Sequence, residues 1–80
     1  MKKIPRDISG RELCKRLKVF NYEITRQSGS HIRLTTQVNG EHSITIPDHP
    51  FIKIGTLSAI LSEVANHQKV SKEELAEKIF

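Results

Sequence analysis

The chain has 80 residues, 36% hydrophobic and 28% charged, with a net charge of +4, which suits one small domain over residues 1–80 and leaves too little core for two. No apolar run approaches the ~20 residues of a membrane span, the basic segment at residues 1–6 lacks the apolar stretch of a signal peptide, and a lone Cys14 permits no internal disulfide, so a reducing cytoplasm is the expected setting. Residues 1–33 hold nine of the thirteen Lys and Arg but three of the nine acids; a basic half suits an anionic partner, nucleic acid being the commonest, unless those cations only solvate a helix face.

Asp7-Ile8-Ser9-Gly10-Arg11-Glu12-Leu13 predicts a helix start. Ser9 as N-cap with Glu12 three residues on makes a capping box, and Ile8 with Leu13 fits a hydrophobic staple. Leu13 and Leu17 share one face, while Arg11, Lys15, Arg16 and Lys18 cover much of the rest, and the helix should end near Lys18. Cys14 beside the leucine stripe reads as a small core residue rather than a nucleophile.

Tyr22 to Arg26 predicts a strand with Tyr22 and Ile24 on one side, followed by a turn at Gln27-Ser28-Gly29-Ser30. Gly29 supplies the permissive backbone of that turn. His31 to Gln37 then alternates: Ile32 and Leu34 face one side of a sheet, His31 and Arg33 the other. An imidazole and a guanidinium on one open face are suited to holding a phosphodiester and moving a proton beside it. Asn39-Gly40 signals a hairpin into a third strand, Glu41 to Ile46, stopped by Pro47 and Pro50.

Gly55-Thr56-Leu57 opens a second helix, whose Leu57, Ile60, Leu61 and Val64 form an i, i+3, i+4, i+7 stripe. Val70-Ser71-Lys72-Glu73-Glu74-Leu75 repeats the staple and capping box, so a short third helix follows. The expected fold is α+β, in the order α-β-β-β-α with a further C-terminal helix: a three-stranded antiparallel sheet with helices on one face and the other face open. Double-stranded-RNA-binding domains share that topology.

RNA carries its own nucleophile in the 2′-hydroxyl. A ribonuclease acting through it needs a proton carrier and positive charge on the phosphate. Histidine suits the first task because its free pKa, about 6.5, lies near working pH. On the family resemblance given next, His31 is the candidate general base or acid, with Ser28 and Ser30 to bind phosphate oxygens and Arg33 to stabilise developing charge. Arg26, Lys3, Arg6 and Lys53 are weaker candidates for backbone contacts. The bland alternative for His31 is a surface histidine on an open sheet. His42 is expected outward in solvent, His49 as a turn residue, and His67 just after the second helix as a cation near its C-terminal dipole. The four histidines show no metal-ligand spacing, so no metal and no cofactor is expected.

Together, the first helix with its leucine face, the Gly29-Ser30-His31 turn-to-strand element, the Ile46-Pro47-Asp48-His49-Pro50 exit and Gly55-Thr56-Leu57 followed by Ile60-Leu61 resemble the HicA (YcfA-like) toxins of type II toxin–antitoxin systems. The resemblance runs from about Ser9 to about Val64. It implies an mRNA interferase held in check by a HicB antitoxin, with the family's catalytic histidine falling on His31. Many members carry Gly-Phe after the first helix; this chain has Val19-Phe20-Asn21, where Phe20 keeps the apolar plug. The competing expectations are a non-catalytic RNA-binding module using the same basic surface, or an interaction domain whose open sheet face pairs with another protein.

Overall fold

In the computed structural model, Pro5 and residues 7–80 are described. Helix α1 (Gly10–Arg16) tightens into a 3₁₀ turn over Leu17–Phe20; then come strands β1 (Glu23–Ser28), β2 (His31–Thr36) and β3 (His42–Pro47) and helices α2 (Ile54–Gln68) and α3 (Lys72–Ile79). The strands form one antiparallel sheet in the order β1-β2-β3. This is the expected α+β fold, with the third helix in place.

The helix starts follow their caps. Ser9 Oγ accepts from Glu12 N at 3.0 Å and Ser71 Oγ from Glu74 N at 3.0 Å, each satisfying one orphan donor of the first turn. The box at Ser9 is half-formed, because Glu12 turns its carboxylate to Arg16 Nε at 2.9 Å one turn along. Helix α1 stops as an α-helix at Arg16, two residues short of the expected end. The chain reverses at Asn21, whose φ of 61° is a left-handed conformation that Asn adopts more readily than most residues.

The period-2 pattern of β2 holds: His31, Arg33 and Thr35 point outward, while Ile32, Leu34 and Thr36 are buried. Ile44 and Ile46 of β3 face the same way inward, opposite Leu34 and Ile32. Against them pack Leu13 and Leu17, the stripe Leu57, Ile60, Leu61 and Val64, and Leu75 and Ile79 from α3. Fully burying each such aliphatic side chain contributes about 1.5–3 kcal/mol before entropy is counted. Cys14 is 4% exposed and belongs to this cluster.

Two strand expectations change. The first turn is only Gly29-Ser30: Ser28 pairs with His31, so β1 runs on to Ser28. Gly29 has φ 59°, the positive value a two-residue II′-type hairpin takes at its first central position. The second hairpin is looser than Asn-Gly suggests. Thr36 pairs with His42, leaving five residues between them, with positive φ at both Asn39 and Gly40. Tyr22 and Ile24, expected on one side of the strand, differ: Tyr22 precedes β1 and is fully buried, whereas Ile24 is 48% exposed; β1 is an edge strand, exposed at every residue. Its register with β2 shifts between Ile24 and Arg26, so Thr25 is an extra residue, a β-bulge.

One contact fixes how α1 meets the sheet. Gly10 N donates to His49 O at 3.0 Å, and a Cβ on Gly10 would lie 1.9 Å from Pro47 O. Only glycine fits this approach. Just beyond, Asp48 N donates to Ser30 O at 2.7 Å and Ile52 N to Ile8 O at 3.0 Å. The loop after β3 is thus bonded to the first hairpin turn and to the entry of α1. Among the described residues no helix is long and apolar enough to cross a membrane.

Gly10→Ala is expected to cost about 2–3 kcal/mol through this overpacking, read as a lower urea midpoint. Burial pushes the pKa of the Cys14 thiol and of the Tyr22 phenol upward; for Tyr22 a hydrogen bond from Gln68 works against this and the nearby Glu63 carboxylate adds to it. Both groups ionise sooner in the unfolded chain. Stability is therefore complete below their ordinary values and falls as pH rises beyond about 9, a decline that denaturant titrations from pH 7 to 11 should trace.

Candidate active site

Antiparallel partners lie on the same face of a sheet, so the register defines the open face. It carries Glu23, Arg26 and Ser28 from β1, His31, Arg33 and Thr35 from β2, and Ser43, Thr45 and Pro47 from β3. His31 is exposed at the first position of β2. Ser28 is its cross-strand partner, and Ser30 precedes it in the turn. The turn is backed by Asp48, whose amide holds Ser30 O and whose Oδ2 accepts from Arg11 Nη2 at 3.1 Å and Gln27 Nε2 at 3.4 Å. Asp48 therefore ties α1, β1 and the turn together directly beside His31.

Arg26 and Arg33 are directly opposed across the β1–β2 pair. Like charges in that relation destabilise a sheet. Both side chains are exposed, and their juxtaposition makes a cationic clamp suited to an anion with several oxygens. Beyond it runs a row of hydroxyls: Thr25 Oγ1 to Thr35 Oγ1 at 3.0 Å, and Thr35 Oγ1 to Ser43 Oγ at 2.9 Å. The face thus passes from imidazole through guanidinium to hydroxyl, with the Glu23 carboxylate opposite Thr35 at its far end. A shallow depression lined by Asn21, Glu23, Thr25, Thr35, Gln37 and Val38 lies toward the opposite end of the strands. His31 stands exposed on this open surface.

Five of the eight candidate residues, His31, Ser28, Ser30, Arg26 and Arg33, thus come together at one end of the sheet. Lys53 does not share that face; it is exposed at the N-cap position of α2, where its side chain makes no capping bond. Lys3 and Arg6 lie outside the described residues. Sequence reasoning missed the hydroxyl row and the role of Asp48. Thr35, Ser43 and Thr45 were legible from the same alternation that picked out His31 and Arg33; Asp48 was not, because its partners are remote in the chain.

Two other histidines differ from expectation. His42 is not outward: its side chain is 18% exposed, and its Nε2 lies 3.3 Å from Glu63 Oε2. In the neutral ring the proton then sits on Nε2, leaving Nδ1 to accept from the Tyr22 hydroxyl at 2.7 Å. His67 belongs to the last turn of α2 rather than following it. It stacks on His42, ring centroids 4.3 Å apart, and Nε2 donates toward Val38 O at 3.1 Å and Gly40 O at 3.0 Å. Its role is to hold the five-residue hairpin against the helix, beyond any interaction with a dipole. His49 is exposed in the loop after β3, as a turn residue. Among the described residues no group of three or more His, Cys, Asp or Glu side chains could hold a metal ion.

A family model described as the HicA toxin of bacterial toxin–antitoxin systems matches residues 10–65. That interval takes in α1, all three strands and most of α2, and with them every residue of the open sheet face. No curated protein and no solved structure matches the chain. With well over half of its length matched, from the glycine that seats α1 to the end of the buried α2 stripe, the chain belongs to the HicA toxin family, and it is the toxin of a toxin–antitoxin pair.

Proposed function

We propose that the chain is an endoribonuclease that cuts messenger RNA through the ribose 2′-hydroxyl, with His31 as the proton carrier. The observation that supports this most directly is the exposed His31 at the head of β2 on the same sheet face as the opposed Arg26 and Arg33. The 2′-oxygen attacks the adjacent phosphorus, the bond from phosphorus to the 5′-oxygen breaks, and the 2′-hydroxyl proton is taken up while the leaving oxygen gains one. His31 serves one of these two transfers. The guanidiniums stabilise the charge that builds on the non-bridging oxygens, and the Ser28 and Ser30 hydroxyls donate to the phosphate. Lys53 contacts the backbone farther along the strand. The products are a 2′,3′-cyclic phosphate and a 5′-hydroxyl, and no metal takes part.

The antitoxin partner is, on this proposal, a HicB-type protein that covers the His31 face. Its acidic residues meet the Arg26–Arg33 pair, and complementary charge speeds and orients that association.

Purified protein with a transcript in excess EDTA should yield cyclic-phosphate ends. His31→Ala should keep the fold by circular dichroism, still bind RNA, and lose at least about 100-fold in cleavage rate; its expression should no longer arrest growth. Ends bearing 3′-hydroxyl and 5′-phosphate would show instead that a metal-activated water is the nucleophile, and an unchanged rate in His31→Ala would leave a passive RNA-binding module as the better account. Arg33→Thr should move two quantities in opposite directions. Relief of the opposed charges raises stability by about 0.2–1 kcal/mol, while RNA affinity falls and its log–log salt slope shrinks by about one.

A further inference from the structure

Phe51 is 68% exposed and Ile54 53% exposed, in a protein whose other described aromatic side chains are buried or half-buried. The ring sits on a braced segment. On one side Asp48 N is bonded to Ser30 O and Gly10 N to His49 O; on the other Ile52 N is bonded to Ile8 O, and Ile52 itself is 2% exposed in the core. An apolar side chain held out by anchors on both flanks is presented rather than left over. Its neighbours are His49 and Lys53, and residues 49–62 contain no acidic residue.

The position relates it to His31. Pro47 is the cross-strand partner of His31, at about 5 Å between Cα atoms, and Phe51 lies four positions on from Pro47. The chain's reach therefore holds the Cα of Phe51 within about 20 Å of that of His31, at the end of the sheet where the first hairpin turn, the exit of β3 and the start of α2 gather. A strand of RNA with one phosphate at His31 reaches this loop with a nucleotide close by. An exposed aromatic with an imidazole on one flank and a lysine on the other, and no carboxylate in residues 49–62, has the chemistry of a stacking platform for an unpaired base.

We infer that Phe51 binds RNA directly, stacking on a base a short distance along the strand from the cleaved bond, with Lys53 on the adjoining phosphate. This rests on the ribonuclease proposal above. It gives the enzyme a preference for single-stranded substrate, because a paired base has no free face to offer.

The test uses the full chain in the His31→Ala background, where RNA is bound and not cut, with a fluorescently labelled single-stranded oligonucleotide. Phe51→Ala should bind about tenfold more weakly, and Phe51→Trp should bind about as well as Phe51. The chain has no tryptophan of its own, so the indole introduced at position 51 is the only one, and its emission should be quenched on titration with the oligonucleotide. In the active protein, Phe51→Ala should raise KM and leave kcat nearly unchanged. Unaltered affinity in Phe51→Ala, or an indole indifferent to saturating RNA, overturns the assignment while the ribonuclease proposal stands. If His31→Ala binds no RNA at all, that proposal fails and this one with it. Normal RNA affinity in Phe51→Ala combined with lost antitoxin binding assigns the patch to protein contact and overturns it as well.

Discussion

The approach of α1 to the end of β3 is the constraint on which the site depends. At Gly10 the helix comes so close to Pro47 O that any side chain would collide with the backbone, and the Gly10 amide is bonded to His49 O. One residue on from Pro47, Asp48 holds Ser30 O through its amide and Arg11 and Gln27 through its carboxylate. A helix, a strand exit and a hairpin turn are thereby fastened at one point, and His31 is the first side chain the fastened turn presents. Precise placement of a reactive group by supports locked in their own packing is what an open surface requires, since no pocket walls assist.

The sheet divides its labour by face. The middle of the inner side is aliphatic; at its end lie His42 and the buried Thr36, whose hydroxyl donates to Phe20 O at 2.7 Å and accepts from Val38 N at 3.1 Å, so that its burial leaves no hydroxyl unmet. The outer side spends stability. Two arginines face each other where an opposite-charge pair would hold the strands better, and a local rule broken without structural benefit is expected at a working surface. The histidine cluster on the far side of the protein carries no such conflict. His42 is partnered by Tyr22 and Glu63, and His67 stacks on it while bonding Val38 O and Gly40 O, so that the cluster joins hairpin to helix.

Much of this was legible from residue order because it depends on local periodicity. Ile32 and Leu34 against His31 and Arg33, the α2 stripe from Leu57 to Val64, and the caps at Ser9 and Ser71 are short-range signals, and each appears in the fold. The displaced features depend on what lies across the molecule. Ile24 has the pattern of a core residue but sits on an edge strand exposed at every residue. His42 has the parity of Ile44 and Ile46, so alternation already points it inward; what the order of residues does not announce is that Tyr22 and Glu63 meet it there. At the site, the imidazole and Arg33 could be named from alternation alone. That Arg26 stands opposite Arg33 could not, because the extra residue at Thr25 shifts the pairing, and nothing in the order of residues announces a bulge.

That extra residue has a bearing on solubility. β1 has no neighbour on its outer side, and an unpaired edge offers its amides and carbonyls to the same edge of any other copy. A smooth, flat strand here would invite stacking of molecules into ribbons as their concentration rises. Thr25 breaks the regular spacing of the backbone donors midway along the strand, and the positive charge of Arg26 follows at once. Two copies brought together along β1 would meet a misfit and a repulsion at once.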